Sequence, residues 1–136
     1  MIEGLSHVTF VVRDLERMTT FLETILDARQ VYSSGDDTHS LSRERFFLIG
    51  PVWVAIMEGK PLPEKSYNHV AFKIPDHEFT EYEERIRSMG LEFRVARSRI
   101  EGEGRSLYFH DYDNHLFELH TGTLSERLLT YRSAGK

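Results

Sequence analysis

A strand-sized segment with a histidine at one fixed point occurs twice in this chain, as Leu5-Ser6-His7-Val8-Thr9-Phe10 and as Tyr67-Asn68-His69-Val70-Ala71-Phe72. An Asp follows each copy (Asp14, Asp76) and an amphipathic segment follows the Asp, so the repeat spans a whole strand-helix unit. A chain of this kind folds as two related halves, and polar residues at matched points of the halves can meet. Glu118, on a strand near the end, is a third polar group. His7, His69 and Glu118 on strands of two related halves suggest a metal held between those halves.

With 136 residues, 40% of them hydrophobic and 12% aromatic, the chain can fill one compact domain, or two half-sized modules sharing a core. No apolar run approaches the ~20 residues of a membrane helix. The N-terminus lacks a basic segment followed by an apolar core, and cysteine is absent. We therefore expect a soluble, cytoplasmic protein without disulfides and without a membrane partner. A formal charge of -5 gives no general attraction to phosphate backbones, so no nucleic-acid partner is expected.

Asp14 is placed to cap a first helix whose apolar stripe is Leu15, Met18, Leu22, Ile25 and Leu26. Asp76 is expected to cap a second, with Phe79, Tyr82, Ile86 and Met89 inward, Glu81/Arg85 and Glu83/Arg87 outward, and Gly90 as its left-handed stop. Short strand-like runs follow at about 29–33, 38–42, 45–50 and 52–57, then at about 91–95, 105–110 and 115–120. The order is βαβββ, twice, which defines an α+β fold. Module one covers about 4–60, module two about 66–122, and a last helix, about 123–132, starts at a Thr123/Glu126 capping box.

Side chains two apart on a strand share a face. His7 therefore goes with Thr9, Tyr67 with His69, Ser106 with Tyr108 and His110, and Glu118 with His120. Glu44 has the parity of Phe46 and Leu48, so a strand that turns those two inward would bury a carboxylate.

With these features in place, the chain resembles the vicinal oxygen chelate superfamily, whose members hold a divalent metal in the cup formed by two such modules. The stretches Gly4-Leu5-Ser6-His7, Ser66-Tyr67-Asn68-His69, Glu101-Gly102-Glu103-Gly104-Arg105-Ser106 and Asp113-Asn114-His115-Leu116-Phe117-Glu118-Leu119-His120-Thr121-Gly122-Thr123-Leu124 are similar to the fosfomycin resistance proteins of the FosX type. The resemblance implies a glyoxalase/bleomycin-resistance-like fold with curved sheets paired across a homodimer. It also implies a manganese-dependent hydrolase that opens the epoxide of fosfomycin with water. It assigns His7, His69 and Glu118 to the metal and Glu44 as the base. Thr9, Tyr67, Arg99, Ser106, Tyr108 and Arg127 become the contacts to the substrate, Arg127 as a planar fork for two phosphonate oxygens.

Each assignment has an ordinary competitor. A lone strand histidine is usually a hydrogen-bonded packing residue, and it is the matched pair with Glu118 that favours a metal. His110 or His120 could replace Glu118 or stand behind it, Arg97 or Arg105 could replace Arg99, and Arg43-Glu44-Arg45 would ordinarily be a salt-bridged edge. His39, His77 and His115 are expected in solvent. Nitrogen and oxygen ligands alone also suit iron, zinc or nickel. The alternative functions are a thiol transferase adding glutathione or another thiol to fosfomycin, a ring-cleaving dioxygenase, and a non-catalytic antibiotic-binding protein.

Overall fold

The computed structural model describes residues 1–37, 40–97 and 104–134. The chain divides into two compact units, Met1–Lys65 with Asp111–His115, and Ser66–His110 with Leu116–Lys136. Among the described residues no helix is long and apolar enough to cross a membrane.

The first unit holds β1 (His7–Val12), α1 (Leu15–Leu26), β2 (Arg29–Ser33), β3 (Glu44–Ile49) and β4 (Val52–Glu58). Its sheet has the order β1-β4-β3-β2, with β1 parallel to β4 and the other pairs antiparallel. Asp14 caps α1 by accepting the Arg17 N–H at 3.0 Å, and Asp27 ends it in the left-handed conformation. The helix buries Leu15, Met18, Phe21, Leu22, Ile25 and Leu26, and the sheet buries Phe10, Val12, Phe47, Val54 and Ile56. Each such side chain stabilises the fold by about 1.5–3 kcal/mol relative to exposure. The segment Asp111–His115 belongs to this unit: Asp113, buried, accepts from the backbone N–H and Nε of Arg13 at 3.1 and 2.9 Å.

The second unit repeats the plan with β5 (His69–Lys73), α2 (Phe79–Ser88), β6 (Phe93–Arg97), β7 (Arg105–His110) and β8 (Leu116–His120), followed by α3 (Leu124–Ala134). The sheet order is β5-β8-β7-β6, with β5 parallel to β8. Phe79 and Ile86 of α2 are buried, as are Leu107, Phe109, Phe117 and Leu119 of the sheet. Gly90 follows α2 at φ +71°, and Thr123 Oγ1 accepts the Glu126 N–H at 3.1 Å to start α3.

Four expectations are corrected. Residues 40–42 of the expected 38–42 strand are bends, and Leu41 is 96% exposed, so a strand there would have nothing to bury. Asp76 does not cap α2: it opens a 3-10 turn, Asp76–Glu78, and its carboxylate accepts from Arg105 Nε at 3.0 Å. The inward face of β3 is the Phe47 and Ile49 face, which leaves Glu44, Phe46 and Leu48 on the opposite one. His115 is not solvated, because its Nδ1 bonds the buried Asp111 carboxylate at 2.7 Å and its ring lies edge-on to Phe10. His39 lies outside the described residues.

Candidate active site

Strand register decides which polar side chains share a surface. In the first sheet His7 pairs with Trp53, Thr9 with Ala55 and Val11 with Met57, while Leu48, Phe46 and Glu44 pair with the same three residues from the other side. His7, Thr9 and Glu44 therefore lie on one face, opposite the face that carries the buried Phe47, Val54 and Ile56. His7 is exposed, stacks on Trp53 with ring centroids 4.1 Å apart, and has its Nδ1 3.0 Å from Ser6 Oγ, which leaves Nε2 for another partner. Glu44 is half-buried on a central strand. Its neighbours spend their charge elsewhere, Arg43 on Glu58 and Arg45 on Glu16.

The second sheet does the same with a richer set. Ser106 pairs with His120 and Tyr108 with Glu118 across β7 and β8, and Glu118 pairs with Ala71, two residues beyond His69 and on its face. A cleft of about 580 Å³ lies on this face, lined by Tyr67, His69, Ser106, Tyr108, Glu118, His120 and Arg127 among others. His69 Nε2 stands 2.9 Å from Glu118 Oε1, and its Nδ1 lies 2.7 Å from the Tyr67 carbonyl. A carbonyl can only accept, so Nδ1 carries a hydrogen, and Nε2 faces the carboxylate oxygen across a gap that a proton or a metal cation must bridge. Glu118 is 6% exposed, and its Oε2 accepts from Ser106 Oγ at 2.6 Å. The Ser106 oxygen is also 2.7 Å from His120 Nδ1, and Arg127 donates to His120 Nε2 at 3.1 Å.

The Tyr67 and Tyr108 hydroxyls are hydrogen-bonded to one another at 3.2 Å. The Tyr108 phenol is held well above its usual range, first by burial, then by the bond to Tyr67 and the negative charge of Glu118. Of the cations, Arg97 lines the cleft, whereas Arg105 is committed to Asp76 and lies over the Phe79 ring. Arg99 lies outside the described residues, as does the Glu101-Gly102-Glu103 segment. Sequence reasoning missed the lining by Ala96, Gly122 and Leu124. A Gly-Thr-Leu run directly after the Glu118 strand was the available sign.

The donors suit a divalent metal of intermediate hardness: an imidazole nitrogen with its tautomer fixed, next to a buried carboxylate with its other oxygen already held. Among the described residues, no three His, Asp or Glu side chains of one chain gather as a complete ligand set.

These two sheets with parallel first and last strands are the architecture of the glyoxalase/bleomycin resistance protein/dioxygenase superfamily, whose family model matches residues 4–119, and the chain belongs to that superfamily. Within it, the chain falls in the FosX group of fosfomycin resistance proteins. It is 66% identical over 128 residues to the FosX of Mesorhizobium japonicum, covering 94% of this chain and 92% of that one. A mutant FosX of Listeria monocytogenes, crystallised with Mn(II) and 1S,2S-dihydroxypropylphosphonic acid, superposes with a TM-score of 0.87 at 53% identity, over 96% of this chain and 99% of that one. The metallothiol transferase FosB of Staphylococcus saprophyticus is more distant, 35% identical over 136 residues, covering 97% of this chain and 85% of that one.

Proposed function

We propose that the protein is a manganese-dependent epoxide hydrolase that adds water to the ring of fosfomycin and thereby confers resistance to it. The observation that carries this is the His69 and Glu118 pair, 2.9 Å apart, on the wall of a cleft that also presents Tyr67, Tyr108 and Arg127. The dihydroxypropylphosphonic acid bound by the Listeria protein is the diol that water addition to this epoxide yields.

His7, His69 and Glu118 would hold the metal. In a homodimer, His7 of one protomer joins the partner subunit's His69 and the partner's Glu118. Bound there, manganese supplies positive charge that lowers the cost of the negative charge appearing on the ring oxygen. Glu44 holds the attacking water and takes its proton while the new carbon–oxygen bond forms and the ring carbon–oxygen bond breaks. The ring oxygen leaves as an alkoxide and becomes the second hydroxyl on protonation. Arg127 keeps N–H groups beyond the one given to His120 and offers them to the phosphonate, with Tyr67, Tyr108 and Thr9 as hydroxyl partners, while Ser106, expected among them, spends its one hydrogen on Glu118. Arg99 adds a cation by the family resemblance. The activity belongs in the cytoplasm.

Phosphorus NMR of fosfomycin with metal-free protein and added Mn²⁺, with and without glutathione, tests this. We expect diol without thiol, and loss of roughly 10²–10⁴-fold in rate in Glu44→Gln, as for removal of a general base. A product formed only with thiol would move the protein to the transferase branch. Binding without product would make it an antibiotic-binding protein.

A further inference from the structure

The contacts behind Glu118 have a direction that only one arrangement of hydrogens allows. A guanidinium has donors and no acceptor, so the 3.1 Å contact between Arg127 and His120 Nε2 requires that nitrogen to accept. The neutral ring then carries its hydrogen on Nδ1 and donates to Ser106 Oγ at 2.7 Å. Accepting there with one lone pair, the Ser106 hydroxyl turns its single hydrogen to the ionised Glu118 Oε2 at 2.6 Å. Reversing any link would set two donors or two acceptors against each other. The chain runs Arg127, His120, Ser106, Glu118, and its middle is buried, Ser106 at 5% exposure and Glu118 at 6%. Inside a protein such a chain is stiff, because an unmade bond leaves a polar group without water.

We propose that His120 is a positioning residue. Fixed by Arg127 as the Nδ1–H tautomer, it acts through Ser106 to lock the Glu118 carboxylate with Oε1 turned toward His69. Its part is played through Ser106, and no contact with the reacting atoms is assigned to it. The importance of that orientation rests on the reading of Glu118 as a metal ligand, whereas the tautomer and the direction of the chain do not.

Two measurements test this. Long-range proton–nitrogen NMR of the metal-free protein reads the His120 tautomer directly, with the signal assigned by its loss in His120→Asn. We expect Nδ1–H. An Nε2–H or doubly protonated ring overturns the proposal whatever the enzyme catalyses. Mn²⁺ affinity, followed by EPR of free ion, is then compared in His120→Asn, His120→Gln and Ser106→Ala. Asn puts an amide N–H where Nδ1 stands, and Gln puts its amide near Nε2. We expect Gln and the Ser106 variant to bind roughly 10- to 100-fold more weakly and Asn to recover to within about threefold, the scale typical of groups behind a metal ligand. Equal affinity in all three overturns the positioning role. If the tautomer and affinity pattern hold but no diol forms from fosfomycin, the proposed reaction fails and the positioning chain stands.

Discussion

Gly104 sits where the start of β7 passes closest to the backbone that leaves β8. A Cβ built on it would lie 2.7 Å from the Gly122 nitrogen, 2.9 Å from the Gly122 Cα and 3.2 Å from Thr121 Oγ1. These are largely backbone atoms, and the crossing is tied: the Arg105 N–H donates to Thr121 Oγ1 and the Thr121 N–H to the Arg105 carbonyl, both at 3.1 Å. Gly104→Ala therefore carries two costs. A non-glycine residue at φ +91° costs about 1–3 kcal/mol, and forcing the two segments apart costs about 1–3 kcal/mol more. Gly50→Ala is the control, with φ +56° and nothing within 4 Å of the added carbon. It bears only the backbone term of about 1–2 kcal/mol. For a chain of this size, Tm should fall by roughly 7–20 °C in Gly104→Ala and roughly 4–7 °C in Gly50→Ala. Thermal unfolding followed by circular dichroism at matched concentration reads both. Equal losses in the two variants, or less than about 0.5 kcal/mol for Gly104→Ala, would refute the close-approach argument.

Two further outcomes are expected. Trp53 is the single tryptophan and stacks on His7, so its emission should fall as Mn²⁺ is titrated in, and the fall should vanish in His7→Ala. Undiminished emission at saturating metal would remove His7 from the ligand set. In metal-free protein, absorbance at the phenolate band should show one tyrosine ionising after the others, and Tyr108→Phe should abolish that last step. Because the native state keeps this proton after the unfolded chain has lost it, stability should decline as pH rises above about 10. A tyrosine titration unchanged by Tyr108→Phe would contradict the burial argument.

The strand-helix repeat was legible because its pieces are locally consistent. Asp14 caps, the α1 stripe has helical spacing, and His7 and His69 recur at the same point of matched strands. Glu118 has no counterpart in that repeat, and it is the parallel pairing of β5 with β8 that brings it to His69. The failures have a common cause in tertiary structure. Phe46 and Leu48 are as apolar as Phe47 and Ile49, so β3 lacks the polar alternation that names a core face, and it is the packing of α1 on β3 and β4 that chooses. Asp76 has the chemistry of a cap, but Arg105, far along the chain, claims its carboxylate. The 38–42 run alternates, yet Leu41 alone offers too little apolar surface to hold a strand in a sheet. Parity put Ser106 and His120 on polar faces, while the register of β7 against β8 made them partners.

The first strand of each module pairs with the last strand of the same module: His7 sits opposite Trp53, and His69 opposite Leu116. During synthesis His7 thus leaves the ribosome well before the strand it pairs with, and it has no ladder to join until β4 exists. At about 5–20 residues per second that wait is roughly 2–9 s. Pairings this distant in sequence are also slow to close in the free chain. The face that carries His7 and the face that carries His69 are therefore completed only when β4 and β8, the last strands of their modules, have joined the sheets.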